Sequence, residues 1–254
     1  MKKIIYVFSA TGNSLTTARE ITKLMGDCQL YSISALINDS EITVDADIVG
    51  FVFPVYFQDI PYPVRTVLKK MNFVNPRTYI FTFLTSRGYP GDLVFRRLHR
   101  LLKEKNQSLS LGLSIPMPGN SRMNTPEEDQ KYLKAQYESI KDKIQLVVER
   151  VEQDYSSDDE FIITPAIKAN NFRGICSDEK CIGCRICVKV CPMNNIHIKD
   201  GRAIIGDSCS SCLACFHWCP VEAIYMTKHT ENGRRIKYHH PDVLLTDIIQ
   251  LKKK

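Results

Sequence analysis

The chain contains the stretch Cys181-Ile-Gly-Cys184-Arg-Ile-Cys187-Val-Lys-Val-Cys191-Pro192, and a second such stretch follows it, Cys209-Ser-Ser-Cys212-Leu-Ala-Cys215-Phe-His-Trp-Cys219-Pro220. Both stretches have the spacing C-x2-C-x2-C-x3-C-P. Three cysteines at this spacing wrap a tight loop around one centre, whereas the fourth opens a short helix that leads away from the loop. Because the pattern occurs twice, it predicts a module built by duplication.

The eight cysteines indicate iron-sulfur clusters. Zinc is the principal alternative, since it also binds four thiolates at C-x2-C spacing. A zinc ribbon, however, pairs its cysteines two and two across a longer gap and has no use for a third cysteine at the same spacing. A redox dithiol or chance explains one C-x2-C pair but not eight cysteines. A disulfide framework is disfavoured because no secretory leader is recognised.

The duplicated pattern resembles bacterial ferredoxins with two [4Fe-4S] clusters, in which the fourth cysteine of each run ligates the other cluster. The resemblance implies two crossed ligand sets. One cluster would be held by Cys181, Cys184, Cys187 and Cys219. Its partner would be held by Cys191, Cys209, Cys212 and Cys215. Segments 193–198 and 221–226 predict a helical turn and a short strand whose apolar residues shield the clusters from water.

The N-terminus begins with an apolar run at residues 2–8 that predicts a buried parallel strand. The loop Ser9-Ala10-Thr11-Gly12-Asn13-Ser14 follows, and then an amphipathic helix that stops at Gly26. Small polar side chains and unpaired N–H groups at a helix N-terminus predict an anion site, with the Asn13 amide among its donors. Gly12 allows close backbone approach. The loop is neither a Walker A nor a G-x-G-x-x-G sequence.

Two further predicted strands, 47–53 and 79–84, end in the loops Pro54-Val55-Tyr56-Phe57 and Thr85-Ser86-Arg87-Gly88-Tyr89. Loops at the carboxyl ends of parallel strands meet at one edge, where ligands bind. Ser-Ala-Thr-Gly-Asn-Ser resembles the FMN-phosphate loop of flavodoxins. The resemblance implies that residues 9–14, 54–57 and 85–89 bind FMN. Tyr56 or Phe57 would flank one flavin face, and Tyr89 or the backbone near Gly88 the other; alternatively, Tyr56 and Phe57 cap the core.

Two helical surfaces carry further predictions. A helix that ends near Glu152 has an apolar stripe expected to cover the sheet, with a coiled-coil dimer as the minority alternative. A second surface is basic and is expected to be solvated, although an acidic partner is an alternative; it comprises Arg96, Arg97, His99, Arg100 and Lys103.

The patterns together predict a flavodoxin-like, doubly wound, five-stranded parallel α/β sheet plus a small α+β domain with two [4Fe-4S] clusters. We place the FMN domain at residues 1–153, a linker at 154–175, the ferredoxin domain at 176–228 and a basic tail at 229–254. The tail is expected to form a short helix after Pro241 that docks on the body. A polybasic, partner-binding tail is the alternative.

This combination resembles a family of flavodoxin–ferredoxin fusion proteins of anaerobic prokaryotes, and Met117-Pro118-Gly119-Asn120 resembles that family's Met-Pro-x-Asn motif. Two departures are Ser14 in place of threonine and the absence of tryptophan from the 54–57 loop. The resemblance implies electron transfer between two [4Fe-4S] clusters and FMN, and on to a protein redox partner.

Two other functions stay open. One is an FMN-dependent reductase of an organic substrate oriented by Tyr56, Arg87 and Tyr89; the other is a non-flavin redox sensor or scaffold. An oxidoreductase is expected, but no catalytic acid, base or nucleophile is predicted. His217 is expected to pack or hydrogen-bond near a cluster.

Charge and hydropathy bear on whether the protein binds nucleic acid or spans a membrane. The formal net charge of +6 counts every cysteine as neutral. Two clusters would each add roughly −2 and a flavin phosphate about −2, so the charge does not predict a nucleic-acid partner. No apolar run reaches the roughly 18 residues of a membrane span. Together with the ten cysteines, these features favour a cytoplasmic location, with Cys28 and Cys176 as incidental or buried thiols.

Overall fold

The structure is a computed structural model that describes residues 1–120, 126–153, 174–227 and 237–253. Its elements, in chain order, are β1 (Lys3–Val7), α1 (Asn13–Met25), β2 (Cys28–Ser32), β3 (Ile42–Val44), β4 (Ile48–Pro54), α2 (Tyr62–Lys70), β5 (Met71–Phe73), β6 (Tyr79–Ser86), α3 (Asp92–Lys103), β7 (Leu111–Pro116), α4 (Pro126–Glu152), β8 (Ile175–Ser177), α5 (Ile186–Val190), β9 (Ile196–Lys199), β10 (Arg202–Ile205), α6 (Ala214–His217), β11 (Ile224–Met226) and α7 (Leu245–Gln250).

The N-terminal half contains a five-stranded sheet in the order β2-β1-β4-β6-β7. Every neighbouring pair is parallel, and the register aligns Val7 with Val52 and Val52 with Phe83. This is the flavodoxin-like order, so the predicted fold class is confirmed. The sequence patterns had not located β2, because this edge strand is short and its side chains alternate between half-buried and exposed.

The central strands are buried along almost their whole length, as expected for a parallel sheet with helices on its faces. Helices α1 and α4 contact each other, and α4 also contacts β7. The α4 stripe faces this core, because Ile140, Ile144 and Val147 are at most 2% exposed. The predicted role of that helix as a cover for the sheet is therefore confirmed.

The C-terminal domain repeats one unit at a spacing of 28 residues. Its strands form two antiparallel pairs, β8 with β11 and β9 with β10. The backbone repeats in detail, since left-handed residues occur at three pairs of equivalent positions, which are Gly183 and Ser211, Arg185 and Leu213, and Asn194 and Glu222. Serine and leucine seldom adopt the left-handed conformation, so the surrounding structure holds the backbone in it at these points. The local fold therefore follows the duplicated sequence. The fourth cysteine of each run was predicted to open a short helix, but Cys191 and Cys219 instead follow the short helices α5 and α6.

The two halves share a hydrophobic core. Val190, Ala214 and Trp218 from the C-terminal domain pack into the same cluster as the sheet, and so do Val243 and Ile248 beyond it. The predicted docking of the tail on the body is thus observed for residues 237–253. Most of the predicted linker and the first part of the tail lie outside the described residues. None of the described helices is long and apolar enough to cross a membrane.

Candidate functional site

Two adjoining cavities lie where β1, β4 and β6 end. A small cavity of about 90 Å³ is lined by Ser9, Ala10, Thr11, Asn13, Ser14, Pro54, Val55, Tyr56, Thr85, Ser86, Arg87 and residues 117–120. A large cavity of about 680 Å³ is lined by residues 55–58 and 86–90, Gly119, Asn120, Ser211 and Leu213. Of the fifteen residues predicted to bind FMN, only Gly12 lines neither cavity. The sheet therefore brings the three predicted loops together.

The small cavity has the character of an anion site. The backbone N–H groups of Asn13, Ser14 and Leu15 open α1 and have no hydrogen-bond partner among the described residues. The next N–H group, that of Thr16, donates to the Gly12 carbonyl at 2.9 Å and starts the helical ladder. Free N–H groups and the helix dipole favour a negative group at this point.

The polar side chains of the first loop serve mainly to hold its shape. The Ser9 hydroxyl accepts from the Gly12 N–H at 3.1 Å, and the Ser14 and Thr85 hydroxyls share a hydrogen bond of 2.8 Å. The Asn13 Nδ2 donates to the Pro118 carbonyl at 2.9 Å. The Asn13 amide is thus engaged within the protein instead of reaching toward an anion, and the backbone supplies the free donors.

The second loop positions Tyr56 between the two cavities. Its ring packs edge-on against Phe8 with centroids 6.3 Å apart, so it caps the core and lines the site at once. Its hydroxyl is buried and makes no well-formed hydrogen bond among the described residues, although the Asn120 side chain lies close enough to favour the charged form slightly. Burial raises the pKa of Tyr56 well above its usual range, which keeps the phenol a neutral donor. A buried orphan donor that faces a cavity fits a polar ligand.

A buried ion cluster holds this loop in place. The Asp59 carboxylate lies 2.6 Å from Arg65 Nη2 and 3.0 Å from Arg97 Nη1, and Arg97 also donates to the Gln58 carbonyl at 2.8 Å. Phe57 and Gln58 have φ values of 53° and 57°, a conformation that costs energy in non-glycine residues. The cluster stabilises that conformation and keeps Phe57, which is 44% exposed, at the cavity.

This arrangement corrects the prediction that the basic surface of α3 is solvated. Arg97 is 6% exposed and His99 is 2% exposed. The Leu109 N–H donates to His99 Nδ1 at 3.3 Å. The reason is that the ion partner of Arg97 lies in another loop, where sequence spacing does not reveal it.

The eight cysteines of the duplicated pattern surround two small cavities. Cys181, Cys184, Cys187 and Cys219 line one of them. Cys191, Cys209, Cys212 and Cys215 line the other. The chain thus brings together the same crossed sets that the ferredoxin resemblance implies. No three His, Cys, Asp or Glu side chains in the described ranges are arranged to hold a single metal ion.

The environment of the thiols suits metal-bound sulfur. Backbone N–H groups donate to three sulfur atoms, from Ala223 to Cys219 at 3.3 Å, from Ser211 to Cys209 at 3.4 Å and from Asn195 to Cys191 at 3.5 Å. Burial raises the pKa of Cys187 to about 11 and that of Cys212 to about 12, because desolvation disfavours the thiolate. Metal coordination offsets such a penalty by deprotonating the thiol.

The second cysteine loop closes the large cavity from the C-terminal domain. Ser211 and Leu213 form part of its wall. Asn120 joins the two halves there, because its Nδ2 donates to the Cys212 carbonyl at 3.4 Å and its own carbonyl lies 2.8 Å from His217 Nε2. His217, predicted to pack or hydrogen-bond near a cluster, thus hydrogen-bonds to Asn120 from its position between Cys215 and Cys219 in the sequence. Trp218 Nε1 also donates to the Ala10 carbonyl at 2.9 Å, so it reaches the first loop from the other domain.

Residues 237–251, which we call the strap, cover the outer side of the first loop. The His240 N–H donates to the Thr11 carbonyl at 2.7 Å, and the Tyr238 hydroxyl donates to Asn13 Oδ1 at 2.6 Å. A Cβ atom at Gly12, which has φ +103°, would lie 2.9 Å from His240 Cβ and Val243 Cβ. Gly12 therefore makes room for the strap. Sequence reasoning missed these contacts, because no motif links the two ends of the chain.

The strap also contacts the cysteine domain. The Tyr238 N–H donates to His217 Nδ1 at 3.0 Å, and the rings of His239 and Trp218 stack with centroids 4.4 Å apart. Lys252, just past the strap, donates to the Val188 carbonyl at 3.0 Å. One segment thus ties the first loop, both cysteine helices and the cavity wall together.

Comparison with known proteins identifies relatives of the cysteine domain. Residues 180–231 match the 4Fe-4S dicluster domain family. The chain is 40% identical over 55 residues to the pyruvate synthase subunit PorD of Methanocaldococcus jannaschii. This match covers 21% of this chain and 64% of PorD, so the chain spans slightly under two thirds of that protein's length. It is 36% identical over 50 residues to a ferredoxin of Methanothermococcus thermolithotrophicus, which covers 18% of this chain and 83% of that ferredoxin.

Solved structures similar to this chain overlap about half of it. A flavodoxin from the domain Archaea shares 16% identity at a TM-score of 0.34, and the match covers 57% of this chain and 99% of the flavodoxin chain. A flavoprotein in complex with FMN from Lactobacillus acidophilus shares 14% identity at a TM-score of 0.35, and the match covers 54% of this chain and 98% of the flavoprotein chain. The fold assignment itself depends on the strand order described above.

Proposed function

We infer the function from one premise: through residues 180–231, the chain belongs to the family of ferredoxins that carry a 4Fe-4S dicluster domain. With its flavodoxin-like N-terminal sheet, it has the organisation of the flavodoxin–ferredoxin fusion family. We propose that the protein is an iron-sulfur flavoprotein that passes electrons between two [4Fe-4S] clusters and FMN, and on to a protein redox partner. We also propose the domain limits 1–153 and 176–228, joined by 154–175 and followed by the tail 229–254.

The two cysteine sets would hold the clusters. Cys181, Cys184, Cys187 and Cys219 surround one cavity, and Cys191, Cys209, Cys212 and Cys215 surround the other. Four thiolates are the usual ligands of a [4Fe-4S] cluster, and N–H···S hydrogen bonds adjust its potential. The donor set and the hydrogen bonds around it support this assignment.

The FMN would lie in the two cavities at the sheet edge. The free N–H groups of Asn13, Ser14 and Leu15 would bind its phosphate, and the 55–58 and 86–90 loops would contact its ring system. The volume of about 680 Å³ suits a small-molecule cofactor. The buried Tyr56 hydroxyl would donate to a polar atom of the cofactor. When bound, FMN exchanges either one or two electrons, whereas the iron-sulfur clusters pass single electrons.

The shared wall of the large cavity is the observation that carries the proposal. Ser211 and Leu213 belong to the loop that presents Cys209, Cys212 and Cys215, and the same two residues line the cavity between the aromatic loops. A cofactor bound in that cavity would therefore lie beside one cysteine set within the same protein. Electrons would not have to pass between separate proteins. Covalent fusion raises the effective concentration of one carrier beside the other.

The first test is anaerobic purification followed by quantification of iron, acid-labile sulfide and extracted flavin per chain. We expect about eight irons, eight sulfides and one FMN. About eight irons without FMN would favour the redox sensor or scaffold, and the flavoprotein proposal would fall. Zinc in place of iron would overturn the cluster assignment. Steady-state turnover of an organic acceptor that disappears on flavin removal would instead favour the dedicated reductase.

A further inference from the structure

We propose that the loop of residues 180–189 is the docking surface for an acidic electron-carrier protein. The inference deepens the proposed function and rests on it, because it assigns the face on which the protein redox partner binds. Its basis is a comparison between two equivalent loops of the duplicated domain, which share a backbone but differ in what covers them.

The two loops are structurally equivalent yet differ sharply in exposure. Gly183 and Ser211 are both left-handed, and so are Arg185 and Leu213. In the second loop Ser211 is 4% exposed and Leu213 is 2% exposed, and both line the large cavity between this loop and the N-terminal half. In the first loop Ile182 is 66% exposed, and Cys184 and Arg185 are also exposed. The chain covers one cysteine loop and leaves its copy open.

The two loops carry residue types that do not match their exposure: the covered loop has a polar residue where the exposed loop has an apolar one. Ser210, which is polar, is 5% exposed, whereas Ile182 at the equivalent position is apolar and is among the most exposed large hydrophobic side chains described. Ile182 belongs to neither hydrophobic cluster of the described residues, although it lines the rim of the cavity of the first cysteine set. A side chain of this kind stabilises a complex when a partner removes it from water, and such residues cluster near the centre of interfaces. Ile182 is therefore the proposed centre of the docking surface.

Basic residues flank Ile182 in the sequence. Lys180, Arg185 and Lys189 are exposed, and none of them has an ion-pair partner within the described part of the chain. The turn between β9 and β10 adjoins the loop, since a Cβ atom at Gly183 would lie 3.0 Å from the Gly201 carbonyl. That turn adds the exposed residues Lys199, Asp200 and Arg202.

Acidic residues do not cancel this charge. Of the two acids before the loop, Asp178 accepts from the Lys180 N–H at 3.0 Å, and Glu179 is exposed. Five cations and three acids therefore lie among the side chains of this surface, and the roughly −2 that a bound cluster would add resides at the cysteines. The rim of side chains around the cysteines is the positively charged part. A net positive rim attracts a negatively charged partner and guides its approach. The open loop also presents the cysteine set that the N-terminal half does not cover, so an external carrier reaches that set first.

The test is binding of a purified, acidic, two-cluster bacterial ferredoxin as the probe, measured by biolayer interferometry on the cofactor-loaded protein. Ile182→Glu removes the apolar centre and adds a like charge, and we expect at least about a tenfold weaker Kd. Lys189→Glu should weaken binding by about threefold to tenfold at low salt, with the difference shrinking as salt screens the charges. The matched controls are Val74→Glu, at a residue 59% exposed in the other half, and Lys23→Glu on α1; both should bind like the wild type.

The outcomes separate this inference from the proposed function. Equal binding by Ile182→Glu and Val74→Glu, or no binding of the acidic ferredoxin by the wild type, overturns the docking surface. Iron, sulfide and flavin are measured on each preparation, so the absence of FMN would overturn the flavoprotein proposal while the binding comparison still judges the surface. Unchanged iron content in each variant shows that the loop itself stays folded.

Discussion

At the scale of single residues, Gly12 is constrained by the strap and not by the cavities. Its φ of +103° disfavours any side chain, and an added Cβ would lie 2.9 Å from Cβ atoms of His240 and Val243. We expect Gly12→Val to displace the strap and the first loop together, and so to abolish FMN binding while leaving the iron content unchanged. Quantification of both cofactors in the purified variant measures this.

Gly26→Val is the matched control for that substitution. Gly26 also has a positive φ of +54°, but nothing lies within 4 Å of an added Cβ. Because Gly26 has a ψ of 159° and so lies outside the αL region, a side chain there incurs a backbone strain of about 1–3 kcal/mol, without any contact with the strap. We expect it to lower the stability and to keep its FMN. Equal FMN content in the two variants would show that contact with the strap does not matter at Gly12.

Residue types and spacing predicted which cysteines come together better than they predicted the contacts around the sites. The eight cysteines are recognisable because a local spacing suffices to surround a cluster. The burial of Arg97 was not recognisable, because its partner Asp59 comes from a different loop and the pair forms only in the folded sheet. Asn13 was correctly placed at the small cavity, but its amide bonds to Pro118 and Tyr238, which are distant in sequence.

At the scale of elements, the strap is the segment whose role no sequence pattern announced. Tyr238 donates to Asn13 across 225 positions of the chain, and the bond is buried. We expect Tyr238→Phe to leave Asn13 Oδ1 without a donor, at a cost of about 1–3 kcal/mol, and to weaken FMN binding by about tenfold. Titration of the flavin-free protein with FMN, followed by flavin fluorescence, measures the change.

The control for this prediction is Tyr225→Phe on β11, which removes a half-buried hydroxyl without a hydrogen bond among the described residues. Its FMN affinity and iron content should match the wild type. If Tyr238→Phe also binds FMN like the wild type, the strap does not hold the first loop in its binding shape.

The strap should also respond to pH through His240, which is fully buried. The Asp242 N–H donates to His240 Nδ1 at 3.2 Å, which requires an unprotonated nitrogen. Burial lowers the pKa of His240, and the Asp242 carboxylate opposes that shift without reversing it. A detached histidine titrates near about 6.5. The histidine therefore contributes fully above that pH, and its contribution is lost as the pH falls from there through the lower pKa of the docked state.

Hydrogen exchange of residues 237–251 tests this, after correction for the intrinsic pH dependence of exchange. We expect protection of the strap to fall as the pH drops below about 6.5, while protection of β4 stays constant. His240→Asn should remove the extra pH dependence. A strap that loses protection in parallel with β4 would indicate global unfolding instead.

At the scale of the whole molecule, the fold was predictable from the sequence because each half is specified locally. Continuous apolar runs predicted the central strands, and the duplicated spacing predicted the cysteine domain. The packing between the halves was not predictable. Trp218, Asn120 and the strap join them through contacts between residues far apart in the chain, and such contacts leave no periodic signal.

The shared cavity wall leads to a prediction about how the halves depend on each other. Cys184 and Cys212 occupy equivalent positions in the duplicated domain, but Cys184 is exposed, whereas Cys212 is 7% exposed and its carbonyl accepts from Asn120. We expect Cys184→Ala and Cys212→Ala each to lose one cluster, about four of eight irons. Because only the loop of Cys212 lines the large cavity, only Cys212→Ala should also weaken FMN binding, by about tenfold.

Iron content and FMN affinity, measured on the same preparations, distinguish the two variants. If Cys212→Ala loses iron but binds FMN as tightly as Cys184→Ala, the cysteine domain forms no energetically important part of the flavin site. If both variants lose FMN together with all their iron, the cysteine domain folds only when both clusters are bound. Loss of either cluster would then remove the part of the large cavity that this domain forms. A selective effect of Cys212→Ala would mean that Asn120 and the 209–215 loop transmit the state of one cluster site to the flavin cavity.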